Sequence, residues 1–135
     1  LGLQERVTFN GYIPHDQMPS FLGGIDVFVM PSTSDSETFG VAAIEASAME
    51  IPVVASRVGG VPEVVIDGVT GILVEPRNER ALAEAIATLV EDVGLRRRMA
   101  QAGRNYVLSR YHWKDNAAQM AGLYEDLLKR WRGSS

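Results

Sequence analysis

The sequence VFVMPSTSDSETFGVAAIEASAME, residues 27–50, decides the fold. Its first four residues form a continuous apolar run, which predicts a strand buried on both faces. Pro31 ends that strand, and small polar residues follow it. Residues 39–49 then predict a helix that is apolar on nearly every face and therefore buried. Two glutamates interrupt this pattern, Glu37 ahead of the helix and Glu45 in its middle.

Composition and charge narrow the possible classes of function. The chain has 135 residues, of which 46% are hydrophobic and 22% charged, as in a single globular domain. The net charge of −4 argues against a nucleic-acid partner. There is no cysteine, which excludes a thiol nucleophile, a disulfide framework and a Cys-ligated zinc site. No apolar run approaches the roughly 20 residues of a membrane span, and no signal-peptide pattern is present.

Short apolar strands alternate with helical segments along the chain, which predicts an α/β fold. We expect a partial Rossmann-like parallel sheet of about four strands with helices on both faces. The predicted strands are residues 7–12, 25–30, 52–56 and 71–74. The predicted helices are residues 15–23, 39–49, 62–66, 78–92 with Asn78 as N-cap, 93–111 and 113–131. Ligands bind beyond the carboxyl ends of the strands in such sheets, so the loops after Met30, Ser56 and Val74 are the candidate site.

The start of the central helix is a candidate anion site. The backbone N–H groups of Thr38, Phe39, Gly40 and Val41 have no partner within the helix, and the helix dipole adds positive potential there. A phosphate group is a natural guest, and Gly40 lets it approach the backbone. The dipeptide Gly59-Gly60 after the next strand is either a second close-approach loop or an ordinary tight turn.

The two glutamates each allow two interpretations. A carboxylate at Glu45 in a buried helix needs hydrogen-bond donors, from a basic group or backbone N–H of the protein, or from a vicinal diol such as that of a ribose. Glu37 fits the N3 position of a capping box that begins at Ser34. It could instead point into the site and bind the hydroxyl groups of a sugar. An acidic metal site at Asp35 and Glu37 is disfavoured because no further ligand lies nearby.

Several motifs together resemble the C-terminal domain of group 1 glycosyltransferases, family GT4, which has the GT-B fold. The resemblance covers essentially the whole chain. Its motifs are Pro31-Ser32, Ser36-Glu37-Thr38-Phe39-Gly40, Glu45-Ala46, Pro52-Val53-Val54-Ala55-Ser56, Gly59-Gly60-Val61-Pro62-Glu63, Gly68-Val69-Thr70-Gly71-Ile72-Leu73-Val74 and Pro76.

The resemblance implies a retaining transferase that uses a nucleotide-diphosphate sugar as donor, with no cofactor and no catalytic metal. It implies that Glu45 holds the ribose hydroxyls and that Glu37, the candidate catalytic residue, contacts the donor sugar. The other donor-binding candidates are Thr38, Phe39, Gly40, Val41, Gly59 and Gly60. The helix N-terminus would stabilise the charge that develops on the leaving diphosphate.

The resemblance also implies that residues 1–135 form a partial nucleotide-sugar-binding domain, lacking its first two strands and the acceptor-binding N-terminal domain. Residues 112–132 would be a C-terminal crossover helix. Strands 7–12 and 25–30 would then lack neighbours, and we expect self-association, strand rearrangement or a swapped dimer. The implied acceptor is a sugar, lipid or small molecule, and the implied location is cytoplasmic, with the inner membrane face as an option.

Glu50 departs from the family, which has glycine there to end the helix in a left-handed conformation. Two other readings stay open. The chain could be a non-catalytic binding or assembly module, in which Glu37 is a cap and Glu45 a satisfied carboxylate. It could also be another GT-B enzyme, such as a sugar-nucleotide epimerase, a glucan synthase or a phosphorylase.

Overall fold

The computed structural model describes residues 2–34 and 38–132 and has a parallel three-stranded sheet at its centre. Strand β2 (Val53–Ser56) lies between β1 (Phe28–Met30) and β3 (Gly71–Val74). The register places Val54 opposite Val29 on one side and Ile72 on the other. All four residues of β2 are buried, as the apolar run predicts for a strand covered on both faces.

Helices connect the strands and continue after the last one. Residues His15–Gln17 form a short 3-10 turn, and the α-helices are α1 (Met18–Leu22), α2 (Val41–Ala48), α3 (Val61–Val64), α4 (Glu79–Glu91), α5 (Val93–Arg110) and α6 (Trp113–Arg132). The predicted cap of α4 is confirmed, since the Asn78 side chain accepts from the Ala81 N–H at 3.0 Å. The helix boundaries differ from the predicted ones by two residues or fewer at most ends.

The core divides into two parts, one on each face of the sheet. Val53 and Ala55 of β2 point into a cluster with α1, α2 and α3. Val54, between them in sequence, points to the opposite face and packs among residues of α4 and α5. This two-residue alternation is the ordinary geometry of a strand. The predicted α/β fold with helices on both faces is therefore confirmed.

The predicted strand at residues 7–12 is not formed, so the described residues contain three strands rather than about four. Phe9 and Tyr12 are 94% and 89% exposed, which is not the environment of a sheet residue. A strand is stable only when a neighbour pairs with its backbone, and β1 pairs with β2 alone. The strand predicted at 25–30 is shortened to Phe28–Met30 for the same reason, since β2 itself has only four residues to offer.

Helix α6 covers most of the segment predicted as a crossover helix, and its apolar residues are exposed. Trp113 is 81% exposed and Trp131 is 73% exposed, and the leucines between them are about half exposed. Within the described ranges, no helix combines the length and the hydropathy that a membrane crossing requires.

The chain leaves α2 through a left-handed residue. Glu50 has φ of 58°, the conformation for which the family pattern has glycine. A side chain in this conformation costs about 1–2 kcal/mol. The Glu50 carboxylate lies 3.8 Å from Arg104, but both side chains are substantially exposed, so this ion pair contributes little.

We therefore expect Glu50→Gly to raise the free energy of unfolding by about 0.5–1 kcal/mol, the relief of left-handed strain less the entropy of glycine. Urea denaturation measures this difference. Glu50→Ala is the matched control, because it removes the carboxylate but keeps the strain and should give no gain. Equal stability of the glycine and alanine variants would contradict the prediction.

Candidate functional site

The first two residues of α2, Val41 and Ala42, are exposed. The N-cap of α2 is Gly40, which has φ of 74° and no side chain to accept from the first N–H groups. The N–H of Ala43 already bonds to the Gly40 carbonyl at 2.9 Å. The N–H groups of Val41 and Ala42 precede the first intrahelical bonds and, with the helix dipole, form a local positive end. Thr38 and Phe39, immediately before the cap, are exposed.

The two glycine-containing loops predicted to flank the site are in direct contact. A Cβ atom placed on Gly60 would lie 2.3 Å from the Thr38 carbonyl oxygen, so only glycine allows this approach. Gly59 has φ of 49°, which completes the tight turn after β2. Both loops follow parallel strands, and the carboxyl ends of such strands lie at one edge of the sheet. The Gly59-Gly60 loop therefore supports the loop that leads into α2.

Two tyrosines, one in α5 and one at its C-cap, connect α5 to α3 and to the residue that precedes Gly40. The hydroxyls of Tyr106 and Tyr111 both donate to the Glu63 carbonyl of α3, at 2.9 and 3.0 Å. The Tyr111 ring meets Phe39 edge to face, with 5.5 Å between the centroids. Burial, with Tyr106 next to it, raises the pKa of Tyr111 above its ordinary value of 10.0. No local sequence pattern reveals this contact, because Tyr106 and Glu63 lie 43 positions apart in the chain.

Glu45 lies on a face of α2 that is open rather than buried. Val41, Glu45 and Met49 are four residues apart and form a partly exposed stripe, with the Glu45 side chain 34% exposed. The opposite face of the helix, with Ala43 and Ala46, is fully buried. The expectation of a helix buried all round is therefore wrong. The packing partners of α2 cover only one side of it.

The Glu45 carboxylate faces a cleft of about 240 Å³ between α1 and α2. The remaining walls are mainly apolar: His15, Met18, Pro19, Leu22, Ala48 and Met49. The nearest charged or titratable partner is His15 Nδ1 at 3.9 Å, which is too long for a hydrogen bond. Among the described residues, no donor bonds to the carboxylate. The interpretation of Glu45 as satisfied by the protein thus has only this weak support.

His15 is the residue of this cleft that the sequence did not identify. Its side chain is 89% exposed. Its position in the turn before α1 brings it opposite Glu45, thirty positions later in the chain. A single histidine after Pro14 has no local pattern that could signal this pairing.

Glu37 and its neighbours Asp35 and Ser36 lie outside the described residues. The predicted capping box and the predicted sugar contact of Glu37 both remain predictions. Among the residues that the structure does describe, no group of three or more His, Asp or Glu side chains is arranged to hold a metal ion.

Residues 1–106 match the family model for glycosyl transferases group 1. The chain is 38% identical over 128 residues to a GDP-mannose-dependent alpha-(1-6)-phosphatidylinositol monomannoside mannosyltransferase of Mycolicibacterium smegmatis, covering 91% of this chain and 34% of that protein. It is 36% identical over 128 residues to a D-inositol 3-phosphate glycosyltransferase of Corynebacterium glutamicum, covering 95% of this chain and 30% of that protein. The chain thus spans about a third of the length of these curated relatives.

Solved structures agree with this assignment. The fold matches sucrose-phosphate synthase from Thermosynechococcus elongatus with a TM-score of 0.87 and 40% identity, over 95% of this chain and 32% of that one. It matches HepE from Anabaena, solved with UDP, with a TM-score of 0.87 and 31% identity, over 93% of this chain and 34% of that one. HepE has also been solved with UDP-glucose.

The contact between the two loops predicts the effect of Gly60→Ala. The new methyl group would force the Thr38 backbone away, and we expect a loss of about 1–3 kcal/mol in the free energy of unfolding. Gly122→Ala is the control, because a Cβ there meets nothing within 4 Å and lies in a helix. That variant should be stabilised by up to about 1 kcal/mol. Urea denaturation of both variants tests the contact, and an unaffected Gly60→Ala would rule it out.

The Tyr111 hydrogen bond predicts both a stability change and a pH dependence. Tyr111→Phe should lower the free energy of unfolding by about 1 kcal/mol near neutral pH. Because the folded-state pKa is raised, the protonated phenol stabilises the fold below pH 10.0, and this contribution is lost as the pH rises through the folded-state value.

Denaturation from about pH 8 to about pH 11 checks this, since the difference between wild type and Tyr111→Phe should shrink at the alkaline end. Tyr124→Phe on exposed α6 is the control and should change stability by less than about 0.5 kcal/mol. A difference between wild type and Tyr111→Phe that stays constant across this range would contradict the raised pKa.

Proposed function

Since this chain belongs to the group 1 glycosyltransferases, we propose that it is the donor-binding part of a retaining, metal-independent enzyme that takes a sugar from a nucleotide-diphosphate sugar. The observation that carries the proposal is the Glu45 carboxylate, which faces an open cleft without a hydrogen-bond donor among the described residues. A carboxylate in a mainly apolar cleft is stabilised when a ligand supplies donors.

We propose that the ribose of the donor binds at Glu45. Its vicinal hydroxyls present two donors side by side, which suits the two oxygens of one carboxylate. The apolar walls contributed by Met18, Leu22 and Met49 exclude water from one side of these bonds. His15 at the rim can contact the same ribose or the adjoining phosphate.

The diphosphate then extends toward the start of α2. Glu45 and Val41 lie one turn apart on the same face, about 6 Å along the helix axis. A nucleotide whose ribose binds at Glu45 would therefore place its phosphates near the N–H groups of Val41 and Ala42. As the sugar–oxygen bond breaks, negative charge grows on the leaving diphosphate, and the positive helix end stabilises it without a metal ion.

The transferred sugar would occupy the space above Phe39 and Gly40, where Glu37 is the proposed catalytic residue. Thr38, Gly59 and Gly60 would shape this space with their backbones, because the Gly60 contact holds the two loops together. Phe39 would be kept in position by Tyr111.

At the level of the whole protein, we propose a cytoplasmic enzyme whose N-terminal domain binds the acceptor, with residues 112–132 crossing back to that domain. The exposed apolar stripe of α6 is what such a contact would cover. Self-association or a swapped dimer of the isolated chain remains a further proposal, supported by the exposed Phe9 and Tyr12.

Titration of UDP-, GDP- and ADP-sugars against the full-length protein tests the donor site. Glu45→Ala should weaken binding of the preferred donor at least about tenfold, because two hydrogen bonds to a charged group are lost. Glu91→Ala, which removes an exposed carboxylate at the end of α4, is the matched control and should bind as wild type. Unchanged affinity in a folded Glu45→Ala variant would refute the ribose assignment.

A further inference from the structure

A second cavity, of about 280 Å³, lies where all three strands end. Pro31 and Thr33 follow β1, Ser56 ends β2 and Val74 ends β3, and the start of α4 closes the far side. In α/β sheets the carboxyl edge is where ligands bind. The volume is slightly below the range of about 300–1,000 Å³ that is typical of small-molecule sites.

This cavity is separate from the Glu45 cleft. Ser56 lies two residues beyond Val54, so its side chain points to the face of the sheet that packs on α4 and α5. The Glu45 cleft lies on the other face, beside α1 and α2. The two cavities therefore lie on opposite faces of the sheet.

The Ser56 hydroxyl is the unusual group in the cavity. Ser56 is 97% buried, since only 3% of its surface is exposed. Its hydroxyl has no hydrogen-bond partner among the described residues. No side-chain nitrogen or oxygen atom in the described part of the chain is sealed from solvent without a partner, so this hydroxyl must open into the cavity. A buried hydroxyl of this kind needs a partner from water or a ligand.

The remaining lining combines both charges with apolar surface. Arg77 and Glu79 stand at the rim, and neither forms an ion pair or side-chain hydrogen bond with a described residue. Arg57, at the adjacent turn, is already paired with Asp67 at 2.7 Å and Glu75 at 3.4 Å. Because one of these side chains is positive and the other negative, the cavity does not favour a ligand with a strong net charge. The Arg77 guanidinium can donate hydrogen bonds to hydroxyl groups, and the Glu79 carboxylate can accept them.

The backbone of Arg77 adopts a conformation that is unfavourable for a residue with a side chain. Its φ is 61°, in the left-handed region that favours glycine. Arg77 lines the cavity and comes directly before Asn78 and the first turn of α4.

We propose that this cavity is a binding site for a neutral polyhydroxylated ring, a pyranose or cyclitol. The hydroxyls of Ser56 and Thr33 bond to ring hydroxyls, Arg77 and Glu79 bond to others, and Val74 and Leu82 contact the apolar face of the ring. Binding of this ring does not depend on the proposed donor site at Glu45, which lies on the other face of the sheet.

The test is an amide-shift titration of the isotopically labelled chain with methyl α-D-mannopyranoside and with myo-inositol. We expect saturable changes at Thr33, Ser56 and residues 77–80, with none at residues 41–49. A nucleotide sugar should instead move residues 41–49. If nucleotide sugars leave residues 41–49 unmoved, the donor proposal fails while ring binding at Ser56 still stands or falls on its own data.

Two variants of Ser56 make the test specific. Ser56→Ala removes the hydroxyl with little change in volume and should weaken ring binding roughly threefold to tenfold. Ser56→Val fills the cavity as well and should abolish binding. Thr88→Ala, which removes a hydroxyl bonded within α4, is the control and should bind as wild type.

Three results would overturn the proposal. The first is no change near Ser56 with either ring compound. The second is a response that Ser56→Ala and Ser56→Val both leave intact. The third is displacement of the ring by inorganic sulfate at the same residues, which would identify an anion site.

Discussion

The burial of strand β2 on both faces is the constraint on which the rest of the structure depends. Its residues cannot contact water, so each backbone group must pair with a neighbouring strand and each side chain must meet a helix. The parallel pairing with β1 and β3 follows, and parallel strands require the helices that connect them. The two halves of the core are therefore consequences of one short apolar segment, Val53–Ser56.

The parallel arrangement of the strands places the loops that follow them at one edge of the sheet. All three strands point the same way, so the loops that begin at Pro31, Arg57 and Glu75 gather at their carboxyl ends. On the α2 face the loop after β1 leads to the helix N-terminus, and on the α4 face these loops frame the cavity at Ser56.

Much of this could be predicted from local sequence, and some could not. The apolar runs indicated β2 and β3 closely, and Asn78 marked the start of α4 correctly, because both signals depend on residues a few positions apart. The prediction for residues 7–12 was wrong since β propensity describes a strand only when a partner is available. The openness of α2 around Glu45 was missed because hydrophobic residues alone do not reveal which neighbours cover them.

The sequence by itself determined the α/β class, the direction of the connections and the position of Gly40 at a helix start. It also determined the family, through motifs that lie between Pro31 and Pro76. Only the tertiary structure decided that His15 faces Glu45, that Gly60 touches Thr38 and that the Ser56 hydroxyl opens into a cavity. Periodicity and capping are set by near neighbours in the chain. Contacts between distant segments depend on how all the elements pack, which no local pattern encodes.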